Sequence, residues 1–181
     1  MTTLHERNTT WDELAEAHRR ARPATGPTDG VPAHRPQVAV LTCADARVSP
    51  ARLFDLPAGA LFTVRVAGAS ATTESVASLS YAVEQLGVRT VVVLGHTHCG
   101  AVAAAVDGVD DPAIESLVAP IRPVVTPACE EVHCAVPAHV TATVAALRDD
   151  PGPLGAALRS GDAEVHGAIV DVVDGSLTRL T

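Results

Sequence analysis

Residues 90–100 read TVVVLGHTHCG, a run of β-branched apolar residues that stops at His96 in a turn rich in metal-binding side chains. A run of that kind is a buried strand, apolar on both faces because both are covered. A second one, residues 37–42 (QVAVLT), stops at Cys43, and residues 61–66 (LFTVRV) supply a third strand. Residues 73–86 (TESVASLSYAVEQL) place Val76, Leu79, Ala82, Val83 and Leu86 at helical spacing, with Gly87 as the stop. Strands alternating with helices predict an α/β fold, a single domain whose mostly parallel central sheet is flanked by helices and joined by right-handed crossovers. In such sheets ligands bind beyond the carboxyl ends of the strands, where Cys43 and His96 lie. Downstream, helices are expected over residues 136–148 and 154–159, then a strand pair, 165–173 and 176–180, around Asp174 and Gly175.

Upstream, Thr9 and Thr10 can cap a helix over residues 11–22 (WDELAEAHRRAR), acidic in its first turn and arginine-rich in its last, as the helix dipole favours. Four prolines and two glycines within residues 23–36 predict an extended connection. The expected organisation is an N-terminal helix and arm, 1–36, followed by an α/β domain, 37–181.

The 181 residues, 47% hydrophobic, suffice for one substantial core and are too few for two ordinary domains. Thirteen basic residues, all arginine, stand against 21 acidic ones for a net charge of -8. With no basic stripe to follow a phosphate backbone, nucleic acid is not an expected partner. No apolar stretch nears the roughly 20 residues of a membrane span. The start MTTLHERNTTWDEL lacks the basic-then-apolar order of a secretory signal, so a cytoplasmic protein with no membrane partner is expected. Four cysteines are too few for a disulfide scaffold. Reduced thiols are expected, with Cys129 and Cys134 free.

The chemistry lies in Cys43-Ala44-Asp45-Ala46-Arg47 after one strand and His96-Thr97-His98-Cys99-Gly100 after another. Two thiolates and an imidazole suit zinc, and three protein ligands leave a fourth position for water, the arrangement of a catalytic site. His96 and Cys99, three residues apart in a turn closed by Gly100, can face one ion, and Cys43 would arrive from the neighbouring strand. Two thiolates neutralise the formal charge of the ion, so the bound water is acidified less than three neutral histidines would allow. Asp45 is placed to accept a hydrogen bond from that water. Arg47 can clamp the carboxylate with a bidentate pair, without which Asp45 would itself ligate zinc and close the site.

These residues resemble the beta-class carbonic anhydrases, whose pattern is Cys-x-Asp-x-Arg followed some fifty residues later by His-x-x-Cys. The resemblance extends through CADARVSP, LFTVRVAG and SLSYAVEQLGVRTVVVLGHTHCGAV and returns in HGAIVDVVDGSLTRL. It implies one zinc per chain on Cys43, His96 and Cys99, and Asp45 and Arg47 as the gating and orienting pair. It also implies a substrate wall that includes His34, Phe62, Arg65, Ala67, Gly68 and Tyr81. The implied reaction is reversible hydration of carbon dioxide by zinc-hydroxide attack, in a homodimer or higher homo-oligomer with sites near the subunit boundary. Two departures touch the wall. His34-Arg35-Pro36 stands where the family pattern has Gln-x-Pro, and Arg65-Val66-Ala67-Gly68-Ala69 where it has Arg-Asn-Ala-Gly-Asn. These changes leave the metal ligands in place and alter the polar surroundings. Two rivals follow: a zinc hydrolase of the same fold acting on another small electrophile, such as carbonyl sulfide or carbon disulfide, and a zinc-bound relative that does not catalyse.

Overall fold

The computed structural model describes residues 9–21 and 34–181; residues 22–33, most of the expected arm, lie outside them. The chain divides into two compact units, 1–32 and 33–181. In the first, helix α1 (Trp11–Ala21) is capped by Thr10, whose hydroxyl accepts the Glu13 N–H at 3.3 Å while the Glu13 carboxylate accepts the Thr10 N–H at 2.8 Å. Asp12 and Glu13 sit at its start and His18, Arg19 and Arg20 at its end.

In the second unit, strands β1 (Val38–Thr42), β2 (Leu61–Arg65), β3 (Thr90–His96) and β4 (Glu164–Val170) are parallel, and β5 (Leu177–Arg179) runs antiparallel to β4. Between them lie α2 (Pro50–Leu53), α3 (Thr73–Glu84), α4 (Gly100–Val106), α5 (Glu115–Val118), α6 (Val132–Asp149) and α7 (Pro153–Ser160). The spatial order is β2-β1-β3-β4-β5. The chain therefore leaves β1 toward one side of the sheet and leaves β3 toward the other. Their carboxyl ends, paired at Thr42 and Leu94, open a crevice at this switch in direction. The Thr42 hydroxyl donates to the Leu94 carbonyl at 2.8 Å and ties the two ends together.

Alternate strand residues feed two cores. Ala39, Leu41, Val91, Val93 and Val165 pack with Leu79, Ala82 and Val83 of α3, Val140, Val144 and Leu147 of α6, and Leu154 of α7. On the opposite face, Val40, Leu94, Ala168 and Val170 are covered among the described residues by Val48, by Leu53 and Phe54 around α2, and by Val172. No helix among the described residues is long and apolar enough to cross a membrane.

The strands and α3 lie where the sequence pattern puts them, with ends shifted by a few residues. The helix expected from residue 136 begins at Val132 and carries Pro137 inside it. That earlier start overturns the expectation of free thiols at Cys129 and Cys134. Thr126 and Cys129 form an isolated antiparallel bridge just before the helix. The turn from there into the first turn of α6 brings the two Cα atoms to 5.7 Å, and the cysteines form a disulfide.

Helix α6 crosses the sheet closely because two strand positions are glycine. A Cβ at Gly95 would lie 2.5 Å from Cγ2 of Val140, and one at Gly167 would lie 3.0 Å from Cγ1 of the same residue. Val140 is buried and β-branched, so it has little freedom to give way. Gly95→Ala is expected to lower the stability measured by urea unfolding by about 1–3 kcal/mol, and Val140→Ala in that background to recover part of the loss. An unchanged urea midpoint would refute this packing.

Candidate metal centre

Cys43 follows β1, His96 ends β3, and Cys99 precedes the first residue of α4. All three are buried, and one ligand atom from each lies within 4.8 Å of the others. The two sulfurs are 4.0 Å apart. His98, just before Cys99 in sequence, has φ 56°, a left-handed conformation uncommon for a residue with a Cβ. This kink turns the His98 carbonyl toward Arg47, whose Nη2 donates to it at 3.1 Å, while His96 and Cys99 face inward.

The imidazole is prepared as a ligand. His96 Nδ1 lies 2.9 Å from the Thr97 carbonyl, which only accepts, so Nδ1 carries the proton and the neutral ring presents its lone pair at Nε2. Nε2 is buried without a hydrogen-bond partner among the described residues. A buried acceptor left unpaired is costly, and a metal ion would satisfy it. The sulfurs share a proton between them. The hydrogen bond from Cys99 pulls the Cys43 thiol well below its ordinary range against the opposing effect of burial, helped by His96 and by the Gly68 N–H at 3.3 Å. Sharing that proton, with burial added, pushes Cys99 far up. Burial opposes a charge on His96, but the Cys43 sulfur and the Thr97 carbonyl outweigh it and raise its proton affinity. The cluster thus holds protons where a divalent ion would replace them, and its two sulfurs and one nitrogen are donors of the kind zinc takes.

Asp45 stands beside this cluster but is held away from it. Arg47 grips both carboxylate oxygens, Nε on Oδ1 at 2.9 Å and Nη2 on Oδ2 at 2.6 Å, and its backbone N–H adds a third bond to Oδ1 at 2.9 Å. Arg47 holds the Asp45 carboxyl far below the usual carboxylate range. Oδ2 nevertheless remains 3.9 Å from His96 Nε2, next to where a metal ligand would sit.

Of the expected wall residues, Arg65 and Gly68 reach this cluster. Arg65 donates from Nε to the Cys43 carbonyl at 3.0 Å and from Nη2 to the Asp45 carbonyl at 2.6 Å, bracing the Cys43–Asp45 segment. Gly68 has φ 83° and its Cβ would lie 2.8 Å from Cδ1 of Ile121, so only glycine fits where its N–H meets sulfur. Ala67 opens the same turn. His34, Phe62 and Tyr81 instead form a row of their own, with ring centroids 6.3 Å apart for His34 and Phe62 and 6.4 Å for Phe62 and Tyr81. Phe62 pairs with Ala39, and Arg65 with Thr42, at the site. The row is therefore set back by roughly 10 Å along the strand.

One residue here escaped sequence reasoning. His139 of α6 is 3% exposed and lines the small cavity behind Cys43, His96 and Cys99. Its signal was present: Val136, Val140 and Val144 mark the buried face of α6, and His139 falls on that face.

A family profile described as carbonic anhydrase matches residues 38–177. A carbonic anhydrase of Mycolicibacterium smegmatis is 34% identical over 152 residues, 79% of this chain and 74% of that one. Carbonic anhydrase 2 of Mycobacterium tuberculosis is 42% identical over 77 residues, which cover 42% of this chain and 37% of that protein. Among solved structures, the beta-carbonic anhydrase of Coccomyxa in complex with acetazolamide superposes with a TM-score of 0.78 at 26% identity, covering 95% of this chain and 86% of that one.

The protonation of the cluster sets a pH dependence for metal binding. His96 and Cys99 are raised above their ordinary values, so below those values a metal must displace their protons. Apparent zinc affinity, read by competition with a chromogenic chelator between pH 6 and pH 8, is expected to rise by about tenfold per pH unit for each proton displaced. An affinity independent of pH would count against ligation by these groups. The site geometry, the profile match and the relatives agree: the chain belongs to the beta-class carbonic anhydrase family.

Proposed function

We propose that this chain binds one zinc ion on Cys43, His96 and Cys99 and catalyses the reversible hydration of carbon dioxide to bicarbonate and a proton. The observation that carries this reading is the set of three ligand atoms within 4.8 Å, with Asp45 held off them by Arg47. Zinc, when bound, makes water nucleophilic at neutral pH by lowering its pKa. The rest is supplied by the chain. Asp45, kept ionised, offers a carboxylate oxygen to the O–H of the attacking water and orients its lone pair toward the substrate. Arg47 keeps that carboxylate from taking the fourth position. Arg65 fixes the backbone of both Cys43 and Asp45.

The assembly proposed is a homodimer or a larger homo-oligomer, in the cytoplasm. Tyr81 supports it: the residue is 51% exposed on α3, an aromatic surface that a second copy would cover. His34, Phe62 and Tyr81 then act as substrate wall at a subunit boundary rather than within one chain's own site.

Stopped-flow hydration of carbon dioxide on protein of known zinc content tests the reading, with Cys43→Ser as the metal-deficient control. A zinc-dependent rate is expected, and Arg47→Ala is expected to reduce kcat/KM by about 10–100-fold, as loss of a partner that orients a metal site does. Background rates at one zinc per chain would overturn carbon dioxide as substrate. Carbonyl sulfide and carbon disulfide then become the substrates to assay, and no activity on any of them would leave a non-catalytic zinc protein.

A further inference from the structure

The Val66–Ser70 turn is held in an unusual shape. Gly68 has φ 83°, and the next residue, Ala69, has φ 60° although it carries a Cβ. A left-handed alanine persists only where its surroundings fix it, and Ala69 is almost fully buried. The turn's own bond, from the Ala69 N–H to the Val66 carbonyl at 2.9 Å, closes it locally. What anchors it to the rest of the fold is Ser70. Its carbonyl accepts the Ser75 hydroxyl at 3.0 Å, and its own hydroxyl is hydrogen-bonded to His139 Nε2 at 3.1 Å.

Packing alone does not account for this pair. Ser70 and His139 are 1% and 3% exposed, 69 residues apart in sequence, and burying an imidazole costs more than burying an aliphatic side chain of similar size. His139 Nδ1 has no hydrogen-bond partner among the described residues, so its contact with Ser70 is the polar return for that burial. Burial lowers the proton affinity of His139, opposed by a weaker contribution from the Gly68 backbone, which keeps the ring neutral as it faces the turn. Both ends of the turn thus matter to the metal centre: at one the Gly68 N–H meets Cys43 Sγ at 3.3 Å, and at the other Ser70 meets His139.

We propose that His139 is a positioning residue. Through Ser70 it fixes the left-handed Gly68–Ala69 turn so that the Gly68 N–H points at the Cys43 sulfur, and it thereby sets how strongly that sulfur donates to the metal. The inference rests on Cys43 being a ligand. A hydrogen bond to a thiolate draws electron density from it, and groups one step behind a metal's ligands commonly alter affinity by about 10–100-fold.

The test uses full-length zinc protein and its cobalt-exchanged form, with Ser70→Ala, His139→Leu and the double variant. Ser70→Ala deletes the hydroxyl at little cost in volume, so it reports on the bond even where His139→Leu fails to fold. Two quantities are read: zinc affinity against a chelator, and the energy of the sulfur-to-cobalt charge-transfer band. Each single variant is expected to change zinc affinity by roughly tenfold and to shift the band in the same direction, with no further change in the double variant because both remove one bond. If Ser70→Ala leaves affinity and band at the wild-type values, the inference is overturned, whatever His139→Leu does, because a packing role alone would spare Ser70→Ala. If the wild-type protein gives no thiolate–cobalt band, the assignment of Cys43 fails first and the inference with it, a result visible before any variant is made.

Discussion

The parallel pairing of β1 with β3 is the constraint on which the site depends. Side-chain packing on both faces selects one register for two buried apolar strands, and here it sets Thr42 against Leu94. The next residues on either side, Cys43 and Gly95, then emerge together at the carboxyl edge, with His96 one position further on. Because the chain leaves these strands in opposite directions, neither following loop crosses the gap. The meeting of Cys43 and His96, 53 positions apart in sequence, is thus a consequence of sheet topology. Gly95 serves the same end. By admitting Val140 against the strand, it lets α6 close the site from behind, with Val136 and His139 on the face that reaches it.

Electrostatics then divide the site into two halves. Within the cluster, two sulfurs and an imidazole share protons in a buried space, and each proton they hold marks a place where a divalent cation is the better occupant. Beside it, Asp45 and Arg47 form a neutral pair with three hydrogen bonds. Two thiolates already cancel the charge of a divalent ion, so a third anionic ligand would make the site net negative. It would also weaken the acidification of any water there. The arginine therefore has a role in charge balance as well as geometry. It compensates Asp45 locally and would leave a bound divalent ion with two negative ligands instead of three. Lysine could not match it, because a single ammonium cannot hold both carboxylate oxygens in a planar fork.

How much of this is legible in the sequence depends on the range of the forces involved. The runs QVAVLT, LFTVRV and TVVVLG are strands because β-branched side chains state that preference locally. Cys43, His96 and Cys99 are legible as candidate ligands because their side-chain chemistry is local and each lies at the end of a strand run, although what brings Cys43 to the other two is sheet topology. Residues 132–135 carry little helix signal: their valine, histidine and cysteine are weak helix formers, and Pro137 follows shortly. Missing that turn of helix also hid the approach of Cys129 to Cys134. The donation of the Arg65 guanidinium to two backbone carbonyls is fixed by tertiary placement that spacing does not encode. Nor does spacing show that β-strand register sets Phe62, with His34 and Tyr81 beside it, back from the cluster.

The altered turn at residues 65–69 shows how one substitution changes the demands on another. In the resembled pattern the position of Ala69 is asparagine, a residue that enters the left-handed region several times more readily than most because its side chain bonds the local backbone. Alanine offers no such compensation, yet the backbone at residue 69 keeps a φ of 60°. The stabilisation that a side chain would supply from within the turn has to come from outside it. The buried Ser70–His139 bond lies one residue further on, and Ile121 packs where a Gly68 side chain would be. The missing asparagine amide therefore does not loosen the turn. Control of its shape passes to the core, where α6 carries it, and the polar wall can change while the donor to Cys43 stays in place.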